Sequence, residues 1–374
     1  MEEKEKRALF QLSAIENLSP ARIRRMYDYV GSFTEALLVS EEEYVKAGII
    51  DPSRDRTYRG AFGRRSRDTA FLSEMSARFD RMNDDGIRMI TFEDAEMPGR
   101  FSVLEDPPVC LYVKGKLPAD DIPSVSVIGA RNCSEYGRSI ARFFSAELAS
   151  AGLQVVSGMA LGIDSAASYG ALLSGHDSYA VLGSGVDICY PGESRSIYEK
   201  MCEGNGGVIS EYAPGTQAIS WHFIARNRLI AALGDVLIVI EAKVKSGTSI
   251  TVGDALSQGK DIFALPGRIT DPLGAGCNQL IRDGAMVLTC PDDVLTHFGI
   301  AGGRKAGPAA PDHGSLSPEQ KKILDAMGPD PLHTEDISLR TDIPIRDVIS
   351  HLCYLELSGL VRSSDHAYFV KVFK

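Results

Sequence analysis

The sequence predicts an α/β protein: an extended Rossmann-like, doubly wound and mostly parallel sheet between an N-terminal helical domain and a C-terminal winged helix. Three observations predict it. From residue 122 short β-branched runs alternate with amphipathic stretches. A Gly/Pro/Ala-rich segment without periodicity follows at 299–316, and helical spacing of apolar residues dominates both flanks. At 374 residues the chain exceeds one ordinary core, which favours two or three domains.

The first segment reads as helices. Leu9, Leu12, Ile15 and Leu18 recur at helical spacing, and Ser19-Pro20 opens a second helix with proline in its first turn. Gly31-Ser32 makes a turn before a third (Thr34 to Val39), and Ser40 with Glu43 matches a capping box. An Arg-rich connector follows, with Arg54, Arg56, Arg59, Arg64, Arg65 and Arg67, and closes the unit at residue 83. It could contact phosphate. A solvated face paired with Asp55, Asp68 and Glu74 is the reading that charge runs favour.

Residues 84–298 form the Rossmann-like unit. Expected strands are 124–128, 154–157, 178–182, 208–211, 236–241, 262–265 and 286–289, with helices at 139–151, 164–173, 194–202, 225–233 and 248–258. Apolar strands alternating with such helices imply βαβ units and a parallel sheet. Residues 299–316 read as a flexible linker. Residues 317–374 offer three helices (317–327, 334–340, 345–357) and a closing hairpin, which together make a winged helix-turn-helix.

Composition narrows the function. No apolar stretch reaches membrane-spanning length, and MEEKEKRALF has no apolar core behind it, so no signal peptide is expected. The seven cysteines are scattered without CxxC spacing, which fits a reducing cytoplasm and neither a disulfide framework nor a zinc site. The net charge of −10 falls on residues 84–298, which carry 16 Lys/Arg against 26 Asp/Glu. Any grip on a polyanion must therefore come from a local pocket.

In an open parallel sheet ligands bind beyond the carboxyl ends of the strands. There this sequence places Gly129-Ala130-Arg131, Ser157-Gly158, Gly183-Ser184-Gly185, Glu241-Ala242 with Lys245-Ser246-Gly247-Thr248, and Pro266-Gly267. Glycines allow close approach of phosphate oxygens, and helix starts at 134–137 and Thr248 should offer free N–H groups. The first turn, GARNCSEYG, has Arg131 where a dinucleotide fingerprint needs glycine, so no NAD or FAD cofactor is expected. An arginine there suits a phosphate, or pairs with Asp164 or Glu241. Trp221-His222-Phe223-Ile224-Ala225-Arg226-Asn227-Arg228 puts aromatics beside two arginines and an amide, a set suited to single-stranded nucleic acid. His222 itself reads as surface-exposed. No nucleophile elbow, P-loop or metal-ligand spacing is present, so neither catalysis nor a metal is expected.

Taken in order, SVIGARNCSEYG, SGMALGIDSAA, AVLGSGVDICYP, HFIARNRLIAAL, VIEAKVKSGTSITVGDAL, FALPGRI and GCNQLIRDGA closely resemble the DNA-processing protein A family (DprA/Smf) over about residues 85–290. The resemblance implies a non-enzymatic protein that binds single-stranded DNA, protects incoming strands in natural transformation, and loads RecA recombinase. It further implies a homodimer through the Rossmann-like domain and an N-terminal SAM-like or helix-hairpin-helix domain. By motif match it places Gly129, Arg131, Ser157, Gly158, Phe223, Arg226, Asn227, Arg228, Lys245, Ser246 and Gly247 in the DNA pocket. Ser220-Trp221-His222 departs from relatives that carry a groove lysine there. The alternative is a phosphoribohydrolase-like nucleotide-processing enzyme on a related fold, although Val252 and Gly253 stand where its catalytic Glu belongs. The third C-terminal helix has Arg346 as its only positive residue, so that domain is expected to contact protein rather than read duplex DNA.

Overall fold

Alternation along a single run sends Val125 and Val127 to one face of the sheet and Ile128 to the other. Runs of this kind build the nine-stranded sheet of the computed structural model, which describes residues 1–16, 18–51, 60–300, 316–328, 330–357, 360–365 and 367–372. The strands are β1 (Ile87–Thr91), β2 (Cys110–Gly115), β3 (Ser124–Gly129), β4 (Gln154–Ser157), β5 (Ser178–Val181), β6 (Gly206–Ser210), β7 (Val236–Ile240), β8 (Asp261–Ala264) and β9 (Met286–Val287). They lie in the order β1-β2-β6-β5-β4-β3-β7-β8-β9. Strands β3 to β9 run parallel, whereas β2 is antiparallel to both β1 and β6. The chain order reverses between β3 and β7, which is the switch point of a doubly wound sheet.

All seven expected strands are present; β1 and β2 were not expected. Their segment reads as loop because Pro107-Pro108 interrupts it and because β2 pairs with β6, far along the chain. Arg100 fastens this addition to the sheet. Its guanidinium, almost fully buried, donates to Asp235 at 3.0 and 3.1 Å and to the carbonyls of Ala119 and Ile122 at 2.8 Å.

The N-terminal helices are α1 (Glu3–Ser13), α2 (Pro20–Val30), α3 (Phe33–Ala36), α4 (Glu41–Lys46), α5 (Ala61–Arg65) and α6 (Thr69–Met82). Ser19, Ser32, Ser40 and Asp68 cap four of them by accepting backbone N–H bonds, and Gly31 ends α2 in the left-handed conformation. Of the Arg-rich connector, Arg54, Arg56 and Arg59 lie outside the described residues. Arg65 pairs with Glu16 and Asp68, both at 3.5 Å, as expected of a solvated face. The N-terminal core is continuous with the sheet: Phe10 packs edge-on against Phe79 at 5.7 Å and Tyr112 of β2 at 5.8 Å.

Helices α7 (Glu135–Ser150) and α8 (Ile163–Leu173) cover one face of the parallel sheet, and α9 (Arg195–Cys202) follows β5. The opposite face carries α10 (Ser220–Leu233), α11 (Gly247–Ser257) and α12 (Pro272–Arg282), while α13 (Pro291–His297) packs beside α7. The C-terminal unit has α14 (Pro318–Ala326), α15 (Thr334–Thr341) and α16 (Ile345–Leu357). Its antiparallel sheet is made of β10 (Leu332–His333), β11 (Val361–Asp365) and β12 (Tyr368–Lys371), around a core of its own. Of the expected linker, residues 301–315 lie outside the described residues. Among the described residues no helix is long and apolar enough to cross a membrane.

A shared core predicts shared unfolding. Phe10→Ala should cost about 3–5 kcal/mol. Amide hydrogen exchange in α1–α6 and in β3–β9 should then speed up together. Faster exchange in the N-terminal helices alone would contradict the continuity of this core.

Candidate nucleic-acid interface

Beyond the carboxyl ends of β3 and β7 a groove of about 460 Å³ opens between the turn after β3 and the first turns of α10 and α11. Gly129, Arg131, Phe223, Arg226, Asn227, Ser246 and Gly247 all line it. The guanidinium carbons of Arg131 and Arg226 each lie 5.7 Å from the centroid of the Phe223 ring. Helix spacing explains the set on α10: positions 223, 226, 227 and 230 share one face and line the groove.

The two arginines differ in role. Arg131 is exposed and forms no ion pair among the described residues, so its fork of donors is open to a ligand. Arg226 is buried and donates to the carbonyl of Gly158 at 2.9 Å and, at shorter range, to that of Val181. Asp164 lies beneath it, accepting the Gly158 N–H at 3.2 Å. A Cβ at position 158 would stand 2.6 Å from the Asp164 carboxylate and 3.0 Å from the Arg226 guanidinium, so glycine alone fits between them. Burial pushes the Asp164 pKa up to about 6 and the Arg226 pKa down to about 10, each opposed by the charge of the other. Arg226 is a charged strut that holds α10 to the ends of β4 and β5.

Phe223 is seated by neighbours that sequence reasoning left out. A Cβ at Gly183 would fall 2.8 Å from its ring, and the half-exposed Tyr190 lies 5.5 Å away at a 34° tilt. Lys243 also lines the groove; its signal was a second lysine two residues before Lys245, in the turn leading to α11.

Other expected residues lie elsewhere. Ser157 is buried and donates to the Val127 carbonyl at 2.7 Å. Gly158 is buried beneath the groove as an acceptor for Arg226. Arg228 points away from Phe223 and makes a two-pronged ion pair with buried Glu211, both bonds 2.7 Å; its place five positions after Phe223 puts it on another helix face. Lys245 is exposed beside the groove without lining it. His222 is buried, stacked on Tyr212 at 3.8 Å, because its neighbour Trp221 takes the exposed position.

The start of α7 is also closed, contrary to the free donors expected there. Ser134 accepts the Gly137 N–H at 3.0 Å, and the Glu241 carboxylate takes both the Ser134 N–H, at 2.8 Å, and its hydroxyl. Glu241 thus fills the terminus where a doubly wound fold seats a nucleotide phosphate. At α11 no side chain caps the first turn, and Ser246 and Gly247 face the groove.

A family model described as DNA recombination-mediator protein A matches residues 88–299, more than half of the chain. The chain belongs to this family. A DprA winged helix domain model matches residues 307–365. DNA processing protein DprA of Streptococcus pneumoniae is 43% identical over 206 residues, 54% of this chain and 71% of that protein. Protein Smf of Escherichia coli is 32% identical over 278 residues, covering 72% and 74%. Among solved structures, DprA of S. pneumoniae superposes with a TM-score of 0.57 at 31% identity, covering 77% of this chain and 95% of that one. DprA of Helicobacter pylori, described by its single-stranded DNA binding mode, superposes at 0.51 with 31% identity, covering 56% and 95%. The recombination-mediator match spans β1 through α13, and with them the whole groove.

The buried carboxylate makes a pH test available. Because folding raises the Asp164 pKa from 3.8 to about 6, the native state holds its proton more tightly, and stability from this group falls as pH rises across that window. Asp164→Asn removes the titration. Relative to wild type the variant should gain up to about 3 kcal/mol between the two ends of the window, read from urea midpoints. A constant difference across it would refute the burial of this charge.

Proposed function

We propose that this DprA-family chain binds single-stranded DNA along the groove, without sequence preference, as a non-enzymatic recombination mediator. The convergence of Arg131, Phe223 and Lys243 on one sheet edge, with Arg226 beneath, carries this reading. Arg131 and Lys243 face phosphates, Phe223 and Tyr190 offer ring faces to bases, and Gly129, Asn227, Ser246 and Gly247 supply close-approach backbone and polar contacts. Lys245 adds charge at the margin. The described relative from H. pylori supports single-stranded DNA as the ligand.

In this reading the protein protects incoming strands in natural transformation and loads RecA recombinase onto them in the cytoplasm. It does so as a homodimer through the Rossmann-like domain. The recombination-mediator family match supports these roles. The acidic winged helix serves as a protein contact, consistent with its seven Lys/Arg against nine Asp/Glu over residues 317–374.

Three variants test the groove. Arg131→Ala should weaken binding to all single-stranded sequences alike and flatten the salt dependence by about 0.7 in log–log slope. Phe223→Ala should cost about 1–3 kcal/mol of binding. Arg228→Ala should spare binding by folded protein while losing about 3–5 kcal/mol of stability, because Glu211 is left buried and unpaired. Equal affinity for single-stranded and duplex oligonucleotides in anisotropy titrations would refute the reading.

A further inference from the structure

The first turn of α10 is a ridge between two cavities. Ser220 and Phe223 face the groove, whereas Ile219, Trp221 and His222 face a cleft of about 730 Å³ between the N-terminal helices and the sheet. The Phe10–Tyr112 core fixes the two walls of this cleft relative to each other.

Trp221 is the only tryptophan in the chain, and it is 45% exposed. Its ring meets His222 edge-on at 4.2 Å and Tyr212 at 6.3 Å, and Tyr212 and His222 stack on each other. Three rings braced in this way hold an indole open to solvent, an arrangement that loses little entropy when a flat ligand lands on it. Burial lowers the His222 pKa below its ordinary value, which favours the neutral imidazole beside the indole.

The opposite wall carries Arg65, stacked over Phe71 at 4.8 Å, and Arg78. Both are already balanced by acidic neighbours: Arg65 by Glu16 and Asp68, and Arg78 by Glu74 at 2.9 Å. A phosphodiester entering here would meet carboxylates. A neutral heteroaromatic ring would meet the aromatic platform of Trp221, Tyr212 and His222, with its charged backbone left outside.

We propose that the bound strand does not end at Phe223: it crosses the first turn of α10 and seats a base on Trp221 in the cleft. Trp221 and Phe223 are two residues apart on α10 and point to opposite sides of its first turn, so a strand that reaches both rings crosses that turn over more than one nucleotide. The N-terminal helices thereby form part of the nucleic-acid track. This inference rests on the groove reading proposed above and extends it.

Titration of the full chain with oligothymidylates of increasing length tests it. Strands too short to leave the groove should bind without changing Trp221 emission. Longer strands should quench it and bind about tenfold tighter, the effect expected for one stacked base. Trp221→Ala should erase that gain while keeping short-strand affinity. Ala70→Phe, which fills the cleft from its exposed far wall, should do the same without touching the platform. Unchanged emission at saturating long strands, or wild-type affinity of both variants at every length, overturns the proposal and leaves the cleft to a polypeptide ligand. Arg131→Ala separates the two readings. If it too binds like wild type, the groove itself has failed; if it alone loses affinity, only the cleft has.

Discussion

The groove depends on a guanidinium buried at its base. Arg226 lies beneath Phe223, bonded to carbonyls at the ends of β4 and β5 and opposed by Asp164 across a glycine. A buried charge of this kind is costly unless compensated, and compensation demands fixed geometry. Helix α10 therefore cannot slide on the sheet without stranding either charge. That rigidity fixes the Phe223 ring and the Asn227 amide beside the exposed Arg131 turn.

The rest of the molecule works against a polyanion. Residues 84–298 carry ten more acidic than basic side chains, yet among the described groove residues Asp164 is the only carboxylate, and it is buried. Cations confined to one edge, within a body of opposite sign, give attraction that fades within about a Debye length of 8–10 Å at ordinary salt. Such a field suits a thin flexible strand that enters a groove and disfavours a stiff duplex, whose other phosphates would lie against acidic surface.

Much of this was legible in the chain. The parallel strands declared themselves because burial on both faces leaves continuous apolar runs, as in Val236–Ile240. The antiparallel pair β1 and β2 did not, since its partner strand is remote and its flanking prolines mimic a loop. Arg131 and Phe223 stood out by residue type at strand ends. The division of labour between Arg226 and Arg228 was written in their helical phase relative to Phe223, whereas their partners Gly158, Asp164 and Glu211 are brought near only by the fold. The occupied start of α7 was equally hidden, because Glu241 comes from the next strand across, over a hundred residues later.

That occupied terminus has a consequence for which small molecules can compete. In a doubly wound sheet the amide-rich helix start beside the switch point is the natural berth for the phosphates of free nucleotides. Here a tethered carboxylate already sits in that berth, so a mononucleotide would have to evict a covalently attached rival at very high local concentration. A polymer avoids the contest, because it gathers several weak contacts along the open edge at once. The seat that this fold elsewhere offers to one nucleotide is here taken by the protein's own side chain.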